Sequence, residues 1–361
     1  MRHARIGRIA LFDNVKGVAI VLVVVGHVVG YAMDVRTGSH LAQTALTFIY
    51  LFHMPVFIFC SGLFAGRSWR KGSSNGADKF LLYLCFYAVF CALVAILDLG
   101  ILGKSSTVNP FVLDSAPWFL LVLALMMLFV PLLGGARPVP VLVVSVALAV
   151  GAGVCMSSPR ELSLLCLFTY FPYFAAGFYF TPERAVRCVE AVRARLGAAP
   201  TMALAALALA AIFVVLYVLF DDVTLAGIKR MSSGLNLITS VASGAGLPVW
   251  FLAVFRVLEY PFVLGMIALL FLAVPTGRCP LSTLGERSLQ VYILHVLVVY
   301  ACNSFGVFEL LAAANPYWLA TVVALAVALA VVLALPAAPA RWVAKLGTWC
   351  KRVTSRESKQ A

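Results

Sequence analysis

The sequence predicts an all-α protein: a polytopic integral membrane bundle of about ten transmembrane helices, with both termini cytoplasmic. Three observations carry that expectation. The chain is 63% apolar and only 11% charged, with a mean hydropathy of +1.03, against about 45–50% apolar and about 25% charged for soluble domains. The apolar residues fall into runs long enough to cross a bilayer. The basic residues are distributed asymmetrically between the segments joining those runs. Together these exclude an ordinary soluble enzyme, a disordered chain and a secreted disulfide scaffold. The formal charge of +13 would suggest nucleic acid in a soluble protein; among such long apolar runs no nucleic-acid partner is expected.

The runs read as spans at about 11–32, 43–65, 79–102, 117–134, 138–156, 162–181, 201–220, 254–275, 287–305 and 317–336, each near the roughly 20 residues a helical crossing needs. The first follows Arg2, Arg5 and Arg8 but is too long for a cleavable leader, so it reads as a retained signal anchor. Ten spans place 20 of the 27 Lys/Arg on the side of the termini and five on the other. By the positive-inside bias both ends are then cytoplasmic. Residues 234–253 are apolar but rich in Gly, Ser and Pro, which suits an outer-face or half-inserted segment better than an eleventh span. One membrane domain over 1–340 and a basic cytoplasmic tail over 341–361 follow, in the cell membrane, with lipid as surroundings; an oligomer is compatible with this. The nine cysteines show no metal-ligand spacing and read mostly as core, with a pairing of Cys155 and Cys302 left open.

Ionisable groups inside a bilayer are costly and usually face a wet cavity or the bundle interior. The first span carries Asp13, Lys16 and His27. Eleven residues separate Lys16 from His27, an angular offset of only about 20° and a rise of about 16 Å; Asp13 falls within about 40° of His27 on the same face. Asp13 and Lys16 either neutralise each other at the interface or belong to a site. His53 lies in the second span, two residues before Pro55, and His295 in the ninth, in GERSLQVYILH. Three histidines at similar depth suggest a shared polar cavity. Zinc is not expected, because none of them has a nearby second ligand, and no metal cofactor is called for. A serine hydrolase lacks its GxSxG elbow. Histidine as a general base remains. Asp98, Arg256 and Glu259 are the remaining charges in spans; Arg256 and Glu259, three residues apart, either offset each other or serve a site. After the second span, AGRSWRKGSS sets Arg67 and Arg70 three apart. They either hold the loop inside or bind a phosphate-bearing donor through their guanidinium forks.

These strings, taken in order, resemble the acyltransferase-3 superfamily of membrane acyltransferases, closest to its fucose 4-O-acetylase-like and capsule-modifying O-acetyltransferase members. DNVKGVAIVLVVVGH is similar to the family's opening helix, FHMPVFIFCSG to its second, and RSWR to its Arg-x-x-Arg pair. APWFLLVL around Trp118, FPYFAAGFYF, FRVLEYPF around Arg256 and GERSLQVYILH follow in the expected order. The resemblance implies O-acylation: an acyl group, acetyl foremost, passes from cytoplasmic acyl-CoA (acetyl-CoA as donor) to a hydroxyl of a cell-envelope carbohydrate or lipid-linked glycan acceptor. It maps the family's essential histidine to His27, its basic partner to Lys16 and its donor-serving loop arginines to Arg67 and Arg70. His53 and His295 are expected to complete the catalytic set by orienting the acceptor or stabilising the oxyanion, Lys16 to bind the donor with the arginines, and Asp13, Asp98, Trp118, Arg256 and Glu259 to support the site. Many relatives carry Arg where this chain has Lys16. The competing class is a proton-coupled transporter or exporter of a glycan or small polar solute, against which stands the lack of a visible inverted repeat.

Overall fold

A computed structural model describes residues 9–35, 39–101, 103, 118–158, 161–309 and 338–357. Among these every regular element is helical. The chain opens with α1 (Ala10–Val35), α2 (His40–Arg70) and α3 (Ala77–Ile96), the last running into a π-helical turn at Leu97–Ile101. Next come α4 (Trp118–Leu128), α5 (Val130–Gly135), α6 (Pro138–Cys155), α7 (Leu164–Tyr179), α8 (Pro182–Leu196) and α9 (Ala198–Leu219). Then follow α10 (Asp222–Ser232), α11 (Ile238–Ala245), α12 (Val249–Ala273), α13 (Pro280–Glu286), α14 (Ser288–Ser304) and α15 (Ala338–Glu357).

Six of these helices (α1, α2, α3, α6, α9 and α12) are long and apolar enough to cross a membrane, and a seventh crossing results if the bent pair α7 and α8 is taken as one. The expected spans differ from the helices in three places. The stretch 117–134 is broken between α4 and α5, where Pro131 near the start of α5 withholds an amide from the helix ladder. The stretch 162–181 stops at Tyr179, and α8 leaves it at 78°. Thr181 accepts the Arg184 amide at 3.1 Å and Pro182 opens the first turn, so α8 starts as a newly capped helix. The span expected at 254–275 begins already at Val249, so the stretch 234–253 divides into the short α11, a left-handed turn at Gly246 and the first turn of α12. The expected span at 317–336 lies outside the described residues. Cys155 and Cys302 are both free thiols.

α2 is the central element, buried without interruption from Leu51 to Cys60. Its closest partner is α7, and glycine makes that approach. A Cβ on Gly62 would fall on the Phe174 carbonyl, one on Gly66 on the Phe178 carbonyl, and one on Gly177 on the Phe59 carbonyl. Backbones in contact gain dispersion where lipid offers no hydrophobic drive between helices. Gly62→Leu or Gly177→Leu is therefore expected to cost more than the roughly 1–3 kcal/mol of ordinary overpacking, seen as loss of the monodisperse peak in detergent. Gly30→Ala, with open space around it, should leave that peak unchanged.

By contrast, α6 and α9 bury little. They present Val139, Val143, Leu148, Leu204, Leu207 and Val218 outward, the surface that a lipid-facing helix needs. At the other extreme, α1 is bolted to the segment before α14. Asn14 donates to the carbonyls of Pro275 and Gly277, each at 2.8 Å, and accepts from the Ser282 hydroxyl. Gly17 and Gly285 allow α13 to lie against α1 at the Leu281 and Asp13 carbonyls. The stretch read as a basic tail is also structured: α15 packs on α3, with Cys350 buried and hydrogen-bonded to Cys85. The start of α1, the end of α2, the start of α3 and α15 thus gather at one end of the bundle.

Candidate active site

The three histidines that the sequence singles out come together inside the bundle. The His27 and His295 rings meet edge to face, with centroids 5.1 Å apart, and His53 lies within electrostatic reach of His27. His53 and His295 share one geometry. The His53 Nδ1 is 2.6 Å from the Ile49 carbonyl oxygen, and the His295 Nδ1 is 2.8 Å from the Val291 carbonyl oxygen. A carbonyl only accepts, so each Nδ1 carries the proton and, in the neutral ring, each Nε2 presents a lone pair. The Nε2 of His295 is buried and makes no hydrogen bond among the described residues. His27 is half-buried. Tyr50 completes this chamber: its ring lies 5.1 Å from that of His53 and against Gly26, with the Lys229 ammonium 5.8 Å from its centre. Tyr50 and Lys229 were not anticipated; a helical step of three from Tyr50 to His53 was the one available signal.

A cavity of about 230 Å³ leads toward this chamber between α1, α2, α3, α4 and α14. Lys16, Ser68, Ser74 and Lys79 line its polar end, and Ile20, Phe57, Phe119 and Tyr292 its deep end. The aromatic floor is packed, with Phe119 centred 6.1 Å from Phe57 and 5.2 Å from Tyr292. Tyr292 in turn is 6.0 Å from His295. The floor is one turn short of His53 along α2 and of His295 along α14, and seven residues, roughly 10 Å, short of His27 along α1.

The other residues named from the sequence take these places. Lys16 pairs with Asp13 at 3.0 Å and still borders the cavity. Arg67 and Arg70 stand outside the cavity wall. Arg67 Nε pairs with Glu183 of α8 at 3.1 Å, and Arg70 donates to the Phe178 carbonyl at 2.8 Å. A cation on the carbonyl end of α7 satisfies an orphan acceptor and complements the helix dipole. Asp98 accepts from the Tyr300 hydroxyl at 2.7 Å and joins the end of α3 to α14. Trp118 stacks on Tyr170, with centroids 5.4 Å apart and planes 15° off parallel. Arg256 and Glu259 meet each other at 2.7 Å, each side chain only 3% exposed, and Arg256 also donates to the Met231 carbonyl. Lys79, Ser68 and Ser74 were not singled out from the sequence. A lysine at the start of an apolar run gives no local sign that it borders a cavity.

A helical membrane bundle with a largely apolar cavity, cationic at one end, whose floor stops a turn short of a cluster of histidines defines the class: a polytopic membrane protein with a polar site inside its bundle. The chain belongs to the acyltransferase-3 family, whose acyltransferase-domain model matches residues 9–335. Among characterised proteins it is similar to the nodulation protein NolL of Mesorhizobium japonicum, 27% identical over 179 residues, which are 47% of this chain and 47% of that protein. It is also similar to the nodulation protein NolL of Sinorhizobium fredii, 29% identical over 181 residues, 47% of this chain and 48% of that one. The chain thus spans about half the length of the curated relatives it matches. No solved structure matches.

Proposed function

We propose that the protein is an integral membrane O-acyltransferase that moves an acyl group, acetyl foremost, from acyl-CoA to a hydroxyl of a cell-envelope carbohydrate. The observation that carries this reading is the cavity: its cationic end suits a phosphorylated donor, and its floor lies a helical turn from His53 and His295. In the reaction, the thioester carbonyl reaches His27 past Phe119 and Tyr292. His27 takes the acceptor's hydroxyl proton as the oxygen attacks that carbonyl; the C–S bond breaks, and the proton passes to the departing CoA thiolate. The Nε2 lone pairs of His53 and His295 suit them to accept hydrogen bonds, and so to orient the acceptor hydroxyl or the His27 ring.

The same proposal places the protein in the cell membrane with both termini cytoplasmic. The excess of Lys/Arg on that side and the gathering of α1, the end of α2 and α15 at one end support it. With the span expected from the sequence at 317–336, the six long helices, the bent α7–α8, the broken α4–α5 and α14 would give ten crossings.

Membranes containing the protein and a crude envelope-glycan acceptor, supplied with radiolabelled acetyl-CoA, should deposit label in the glycan only when the protein is present. Proton-coupled solute uptake without any labelled glycan would overturn the reading in favour of a transporter.

A further inference from the structure

At the polar end of the cavity, Lys79 occupies an unusual position. It is half-buried at the start of α3 and borders the cavity. Among the described residues its ammonium makes no hydrogen bond and no ion pair, whereas Lys16 has Asp13 and Arg67 has Glu183. Its chain neighbour Asp78 accepts from the Ser74 hydroxyl and lies within electrostatic reach of Lys79 without forming an ion pair with it. Lys351 of α15 lies within electrostatic reach and adds positive potential. A partly desolvated ammonium that no carboxylate pairs among the described residues, on a cavity wall that also carries Lys16, is the arrangement that an anion completes.

The cavity shape limits the ligand. About 230 Å³ is less than the roughly 300–1,000 Å³ of sites that enclose a drug-sized molecule, so only a slender arm enters. The walls order that arm: lysines and serines at the mouth, Ile20, Phe57, Phe119 and Tyr292 at the floor. A thioester arm therefore lies with its reactive end inward and its charge at the mouth.

We infer that Lys79, together with Lys16, forms the seat for the phosphate groups of the acyl donor. This deepens the acyltransferase reading and rests on it for the identity of the ligand. Lysine serves phosphate as a compact point charge that a flexible stem can follow. Arg67 and Arg70, outside this cavity's wall, fasten the end of α2 to α7 and α8.

The test is direct titration of the full-length protein in nanodiscs with CoA and with pantetheine, which lacks the phosphates. The wild type should bind CoA; Lys79→Gln should weaken that binding about tenfold, the loss of one charge-assisted contact of about 1.4 kcal/mol. Lys79→Arg should stay within about threefold of wild type on the same scale, and pantetheine should bind both proteins alike. Equal CoA affinity for wild type and Lys79→Gln would overturn the seat, as would an equal loss for CoA and pantetheine. If the seat holds a lipid headgroup instead, adding phosphatidylglycerol to the discs should weaken CoA binding to wild type and not to Lys79→Gln; that result too overturns it as a donor site. A wild type that binds CoA in this Lys79-dependent way but labels no acceptor would leave the seat standing and sink the acyl-transfer reading.

Discussion

His27→Ala is expected to abolish acyl transfer while leaving the protein inserted and folded. A positioned general base contributes typically about a hundredfold to ten-thousandfold, so activity should fall to the background of a crude membrane assay. The reason for expecting intact folding is structural. His27 is half-buried, and its described contact is the edge-to-face meeting with His295, so truncation leaves no carbonyl or carboxylate without its donor. His295→Ala should behave differently. It removes the His295 bond to the Val291 carbonyl along with the free Nε2, and partial activity is expected if His295 orients rather than performs the proton transfer. Label transfer per unit of detergent-monodisperse protein measures both. Full activity of His27→Ala would remove it from the catalytic role.

The second large effect is at Arg256. This guanidinium and the Glu259 carboxylate are both almost fully buried and satisfy each other, with the Met231 carbonyl as a further acceptor. Removing one partner of such a pair leaves a charge stranded in low dielectric and typically costs about 3–5 kcal/mol, whereas replacing both by apolar residues of similar volume is often near neutral. Arg256→Met should therefore unfold at much lower temperature than wild type, and the Arg256→Met/Glu259→Met double variant should recover most of the loss. The double variant should also retain transfer activity, because the pair is closed on itself and joins α12 to α10. Thermal unfolding in detergent measures the first expectation and label transfer the second. A stable but inactive double variant would show that the pair serves the reaction.

These two cases separate what was legible in the sequence from what was not. The histidine cluster was legible because its three members sit at similar depths in apolar runs, and a helix rises a constant amount per residue. Depth along a helix is local information. The Asp13–Lys16 pair was legible for the same reason, its partners being one turn apart. The outcome at Arg256 and Glu259 was only half legible: spacing allowed them to meet, but their burial, and the Met231 carbonyl that Arg256 also meets, come from elements distant in the chain. Arg67 and Arg70 resemble a family motif, yet their nearest partners are supplied by α7 and α8, more than a hundred residues further along the chain.

By itself, then, the sequence determined the all-helical membrane class, the family resemblance and the histidines. Composition sets the solvent a chain needs, and periodicity places residues along one helix. Only the tertiary structure decided which cations border the cavity and which are used to join helices. It also decided where the expected spans break. That choice depends on which backbones approach, and α2 meets α7 through Gly62, Gly66 and Gly177, while α1 meets α13 through Gly17 and Gly285. Contacts between helices distant in sequence are set by the shapes of both surfaces together, and no local pattern contains both.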